Sequence, residues 1–213
     1  EVQMPTEELG TYLQPVWSGK QATMPVQREN AEGQVEKIAE GYEQNISLKA
    51  EVDGKSITWT ERRLIVRSFQ HARSSEAALR TRLAKAQAEL LLLNEHKQGK
   101  QKIEDSLTIQ AIAEKVLKHY RVEGLLKLEI IEHSQERQIR AYGERPVRTE
   151  IDRSVTLQVE IDELAVQEAI RWFGWRVYAT NQPQDMLPLD KAILAYREEY
   201  LVERGFGRLK GKP

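Results

Sequence analysis

Tyr196, Glu199, Glu203, Phe206 and Lys210 recur at steps of three and four. On a helix that spacing puts all five on one face. The stretch predicts such a helix from about Leu189 to Lys210. A core-facing stripe is made of Leu, Ile and Val. This one mixes carboxylates, aromatics and a lysine, which suits binding or catalysis better than packing alone. Taken singly, Glu203 reads as a solvated helix carboxylate. Phe206 reads as packing against a sheet, and Lys210 as a basic helix end that complements the macrodipole. A short apolar strand, Trp175 to Thr180, comes before the helix, followed by Asn181 and a Pro-containing connection.

The run Tyr196-x2-Glu199-x3-Glu203-x6-Lys210, after a strand ending Thr180-Asn181, resembles the third-carboxylate helix of DDE transposases. The branch it looks most like is the insertion-sequence transposases, whose RNase H-like fold carries a long insertion before the final Glu. One position departs from the pattern: many relatives carry Arg three residues after the tyrosine, where this chain has Glu199. The resemblance implies that two Asp and one Glu hold two divalent ions, Mg²⁺ or Mn²⁺, in the intact parent protein. One ion activates a water or a 3′-hydroxyl and the other stabilises the leaving oxygen of the phosphodiester. Oxygen ligands suit such hard cations. Glu203 is then the third metal ligand and the catalytic residue of this chain. Tyr196, Arg204, Arg208 and Lys210 are the residues expected to contact DNA, Lys210 as a point charge on phosphate. The implied partner is double-stranded DNA at transposon ends, met by a homodimer. The implied location is the cytoplasm of a prokaryote, at the nucleoid, with no membrane association.

Composition sets wide bounds. The 213 residues suffice for one large domain or two small ones. Hydrophobic residues are 40%, enough for a core, and the net charge of -1 shows no overall basic bias. A nucleic-acid surface must therefore be local. With no cysteine, disulfides and thiolate metal sites are excluded. No run approaches the length of a membrane-spanning helix, and Gly19-Lys20 lacks the context of a phosphate loop. The start shows neither a leader nor an initiator methionine, and the end arrives while the terminal motif is still running. Both ends are expected to be cuts in a longer protein.

The elements that must position the helix follow in order. Thr6 is expected to cap a short helix, and residues 31–41 to be loop or a brief helix. Residues 46–52 alternate through Ile46, Leu48, Ala50 and Val52, as a half-buried strand does. Asp53-Gly54 is a hairpin turn, and the return strand runs from about Ser56 to Arg67. Trp59 on it is expected to pack on a sheet face. Insertion domains of related transposases sometimes supply a base-stacking residue of this type. Phe69, Ala72, Leu79, Leu83, Ala86, Leu90 and Leu93 mark a helix to about His96, about 40 Å long. Asp105 and Ser106 offer caps for a second helix, which runs through Ile109, Ile112, Ala113 and Val116 to Tyr120. The two helices predict an antiparallel hairpin with Lys97, Lys100 and Lys102 solvated at its tip. Residues 122–161 return to strand, with a separate short strand at 138–142, a turn at 143–146 and alternation at Val155, Leu157, Val159 and Ile161. Asp162 should cap a helix that Gly174 ends.

The expectation is an α+β fold, an antiparallel sheet with a long helical hairpin. Residues 1–161 form an insertion module: β-hairpin 46–67, helical hairpin 69–120 and strands 122–161 in one sheet. Residues 162–213 supply the last strand and the catalytic-Glu helix of an RNase H-like core. No Asp upstream ends an apolar strand. Asp53 is in a turn, Asp105 and Asp162 start helices, Asp152 is in a polar strand, and Asp185 and Asp190 follow Thr180-Asn181. The chain is thus expected to begin after the second catalytic Asp and to be inactive alone. The four histidines, His71, His96, His119 and His133, have no ligand spacing and read as surface. The competing reading is a non-catalytic remnant or adaptor whose hairpin and sheet bind protein or DNA.

Overall fold

The computed structural model of the chain describes residues 2–30, 32–95, 105–139 and 148–197. It is an α+β protein with antiparallel sheets. The described elements in chain order are α1 (Thr6–Trp17), β1 (Met24–Glu29), β2 (Val35–Val52), β3 (Lys55–Ser68) and α2 (Phe69–Leu91). A 3-10 turn (Leu92–Asn94), α3 (Ser106–Tyr120), β4 (Leu126–Ile139), β5 (Arg148–Ile161), α4 (Glu163–Ile170) and β6 (Trp175–Thr180) follow. Residues 189–197 are helical and are called α5. The chain divides into two compact units, residues 1–74 with 172–213, and residues 75–171. That division does not follow the expected boundary between 161 and 162.

In the first unit four strands lie in the order β1-β2-β3-β6. Every pairing is antiparallel. Asp53 and Gly54 both have positive φ, 52° and 73°, the geometry of a two-residue hairpin turn. The register therefore runs from Val52↔Lys55 to Ala39↔Ser68 without a break. Alternation then sorts the side chains. Leu64 and Val66 join Val26, Ile38 and Ala39 on one face, where Leu189, Ala192 and Ile193 of α5 cover them. Ile65 joins Tyr42, Trp175 and Val177 on the other, under Tyr12 and Leu13 of α1. The sheet is thus covered on both faces. Fully burying a Leu or Ile contributes about 1.5–3 kcal/mol, so Leu13, Leu64, Ile65 and Ile193 anchor the two layers.

β2 begins at Val35, where loop or helix was expected across 31–41. The reason is a bulge. Val26 pairs with Ala39 and Gln27 with Lys37, leaving Ile38 as the extra residue. The bulge turns Ile38 and Ala39 to the same core and breaks the period-two signal. Two smaller differences sit at the edges of the expectations. Pro5, not Thr6, is the N-cap of α1. Trp59 is 43% exposed rather than packed. It lies on the outer half of the β2–β3 hairpin, whose residues 47–60 pair, among the described residues, only with each other.

The second unit holds α2 from Ser75 onward, α3, α4 and the two-stranded sheet β4-β5. The helical stripes fall as the spacing predicts: Leu79, Leu83, Ala86 and Leu90 are buried, as are Ile109, Ala113 and Val116. Arg82 donates to the carbonyls of Tyr120 and Arg121 at 3.3 and 3.4 Å. The end of α3 thus meets the middle of α2, as in an antiparallel hairpin. Asp105 caps α3, accepting from the Thr108 amide at 2.9 Å. Asp162 caps α4, accepting from Leu164 and Ala165 at 3.1 and 3.2 Å. Gly174 has φ of 85°, and a Cβ there would meet Ser68 O at 2.5 Å. Glycine is required at this close turn into β6.

Two expectations for the strands are corrected. β4 is continuous from Leu126 to Ile139 and pairs with β5 along its whole length, so residues 131–137 are strand rather than a break. The expected turn at 143–146 lies outside the described residues. The 46–67 hairpin shares no sheet with the 122–161 strands. It pairs with β6 instead, from Arg62↔Thr180 to Arg67↔Trp175. Six residues of β6 suffice to recruit β3, because Trp175 and Val177 complete the core under α1.

Candidate functional site

β6 delivers the chain to the connection 181–188 and then to α5. That connection is held from below by one buried cation. Arg62 is 7% exposed, and alternation on β3 aims it to the α5 side with Leu64 and Val66. Its guanidinium pairs with Glu43 through Nε at 3.0 Å and through Nη2. Nη1 donates to the carbonyls of Gln182 at 3.1 Å and Leu187 at 2.7 Å. A planar fork with five donors suits this task, which a lysine could not repeat. A cleft of about 340 Å³ lies over the same residues, bordered by Asn45, Thr60, Thr180 and Gln184. Its polar groups can bind but include no free acid–base pair.

α5 starts after Pro188, whose carbonyl accepts from Ala192 at 2.9 Å. Tyr196 is the one predicted DNA-contacting residue that the structure describes. Its hydroxyl donates to Ala179 O at 2.7 Å, and its ring stacks on Tyr178 with centroids 4.6 Å apart. The hydroxyl has one hydrogen, and that hydrogen is directed at the β6 backbone. Donation to a phosphate requires this bond to be given up. Glu203, Arg204, Arg208 and Lys210 lie outside the described residues, as do Glu199, Phe206, Lys97, Lys100 and Lys102.

Around the start of α2 the fold gathers arginines that the sequence scatters. A cleft of about 520 Å³ is lined by Arg28, Arg176, Arg197, His71, Tyr178 and Tyr196. Arg28, Arg73 and Arg197 continue into an adjoining cleft of about 360 Å³, with Glu36 on its wall. Arg197 donates to Ser68 Oγ at 2.8 Å and Ile38 O at 3.3 Å. Burial pushes its proton affinity below the ordinary guanidinium value; Tyr178 opposes that and the like charge of Arg28 adds to it. This set went unnoticed in sequence because Arg28, Arg73, Arg176 and Arg197 share no motif and no element. Only the pairing of β1 with β2 and of β6 with β3, under α5, brings them to one face.

The carboxylates are distributed differently. Asp105 and Asp162 are spent as helix caps, and Lys127 lies 3.0 Å from Asp162. That lysine holds the Asp162 carboxyl below its usual range. Among the described residues no group of three His, Asp or Glu stands where it could hold a metal ion. His71, His119 and His133 are exposed, and His96 is outside the described set. Among the described residues no helix is long and apolar enough to cross a membrane.

Comparison with models of protein families, with curated proteins and with solved structures finds no match.

Proposed function

We propose that this chain is part of a DNA transposase of the DDE class and contributes its third carboxylate, Glu203. The observation that carries the reading is the sequence run from Tyr196 to Lys210 set directly behind β6 and its connection. Three structural features support it. α5 lies against the sheet through Leu189, Ala192 and Ile193, and the Tyr196 hydroxyl ties it to the end of β6 at Ala179. Arg62 fixes the intervening connection. A helix held this way has little freedom to slide, as a side chain placed for two-metal chemistry requires.

In this reading β6 and α5 are the last strand and helix of an RNase H-like core, and the segment before them is its insertion. Mg²⁺ or Mn²⁺ in the intact parent supplies activation of the attacking oxygen and stabilisation of the leaving one. The role of this chain is to hold one carboxylate for it and to bind DNA at transposon ends. Alone the chain should not cleave DNA, because among the described residues no Asp stands in a group that could hold a metal ion. The test is the coding sequence on either side of the segment. An open frame with two strand-borne Asp upstream supports the reading. A stop or an unrelated domain there overturns it in favour of a non-catalytic adaptor.

A further inference from the structure

Six arginines of the first unit fall into two groups. Arg62 pairs with Glu43, Arg63 with Glu8 and Glu61, and Arg67 with Glu40 at 3.9 Å. Those charges are internally balanced. Arg28, Arg73 and Arg197 are not: among the described residues none of them is in ion-pair contact with a carboxylate. Glu36 borders the adjoining cleft with all three yet pairs with none. Among the described residues Arg197 meets the neutral oxygens of Ser68 and Ile38, and it sits close enough to Arg28 to feel its charge.

Gathering like charges on one face costs folding free energy through their mutual repulsion. A mobile surface would let the side chains spread. Here Arg197 is held by two hydrogen bonds, and its neighbour Tyr196 is locked to Tyr178 by stacking and to Ala179 by its hydroxyl. Arg197 is therefore held in place before anything binds. Guanidinium groups match phosphate oxygens in geometry and charge. Ser68, Ser74 and Gln70 line the same cleft and add neutral donors. Its volume of about 520 Å³ is in the range of ligand sites and admits a phosphate with its sugar.

We propose that this cleft and the one adjoining it form a phosphate-binding site for a nucleic-acid backbone, with Arg28 and Arg197, which line both, and Arg73, which lines the second, as its charged contacts. The choice of nucleic acid as the source of the phosphate rests on the transposase reading; the phosphate chemistry does not. The site does not include Glu203 or Lys210 and draws on β1, α2 and α5 together.

The test titrates the full chain with a duplex of about 20 base pairs over a range of KCl, with pyrophosphate and heparin in separate arms. The double variant Arg28→Gln with Arg73→Gln is compared with a charge-matched control, Lys20→Gln with Lys118→Gln. All four side chains are exposed, and circular dichroism checks that each variant folds. The expected result is duplex affinity at least about tenfold weaker in the arginine variant, with the slope of log K against log salt smaller by about two. The control should shift affinity by less than about threefold. Equal duplex binding by the two variants overturns the cleft and leaves the transposase reading standing. Heparin or pyrophosphate binding that needs Arg28 and Arg73, with no duplex binding, keeps the anion site but overturns nucleic acid as its ligand. Absence of binding in every arm overturns the proposal outright.

Discussion

Arg62 shows how much one side chain can organise. It is buried, charged and joined to Glu43 and to two carbonyls of the 181–188 connection. Arg62→Ala leaves the Glu43 carboxylate without its partner and frees the connection that leads to α5. Removing one member of such a pair costs about 3–5 kcal/mol, so urea unfolding should show a loss of that size. A loss under about 1 kcal/mol would show that the pair is solvated. Tyr42 gives a pH-dependent signature. Burial, and secondarily the neighbouring Tyr12, push its phenol up to about 12, and its hydroxyl donates to Tyr12 O at 2.7 Å. Its folded value is above the free value of about 10. The stability it contributes is therefore complete below about pH 10 and lost as pH rises towards 12. Tyr42→Phe should flatten the fall in melting temperature over that window, and an unchanged alkaline profile would contradict the assignment. Residues whose work is local were legible in sequence: Asp53-Gly54 as a turn, Asp105 and Asp162 as caps. Arg62 was not, because its carbonyl partners lie more than a hundred positions away and nothing near it in sequence marks it as buried.

At the scale of elements, legibility followed the periodicity. The stripes of α2 and α3 and the alternation of β3 and β5 could be read because each faces one core. β2 failed at its bulge, where Ile38 and Ala39 face the same way. β4 failed because its outer residues, from Glu132 to Gln138, are exposed and carry no apolar rhythm. The β5 edge was also invisible. It is finished by side chains: the Asn94 amide donates to Leu157 O and accepts from Leu157 N, both at 2.8 Å. Gln87 donates to Val159 O at 3.2 Å. Asn94 thus imitates a strand at an edge that would otherwise invite pairing. Asn94→Ala leaves the N–H and C=O of buried Leu157 unmatched, which should cost about 2 kcal/mol. Hydrogen exchange at Leu157 reads this directly. Exchange as slow as in the unaltered protein would mean that the bond pair contributes nothing.

At the scale of the molecule, residues 1–74 with 172–213 close around one four-stranded sheet, while 75–171 form a second unit. The sequence could not show that closure. The partner of the 46–67 hairpin is β6, reached only after the whole second unit, and a pairing that distant leaves no local signal. The candidate site divides along the same line. The Tyr196–Lys210 motif stands out in sequence because it is contiguous, whereas the Arg28, Arg73 and Arg197 cleft exists only once β1, α2 and α5 are assembled. The proposed role of Glu203 is tested by DNA strand cleavage by the intact parent protein with Mg²⁺, comparing Glu203 with Glu203→Gln. The substitution keeps size and hydrogen bonding but removes the charge that holds a cation. If Glu203 holds a cation, the substitution lowers the cleavage rate at least about a hundredfold and leaves binding of element-end DNA unchanged. Cleavage at the unaltered rate by Glu203→Gln would contradict it.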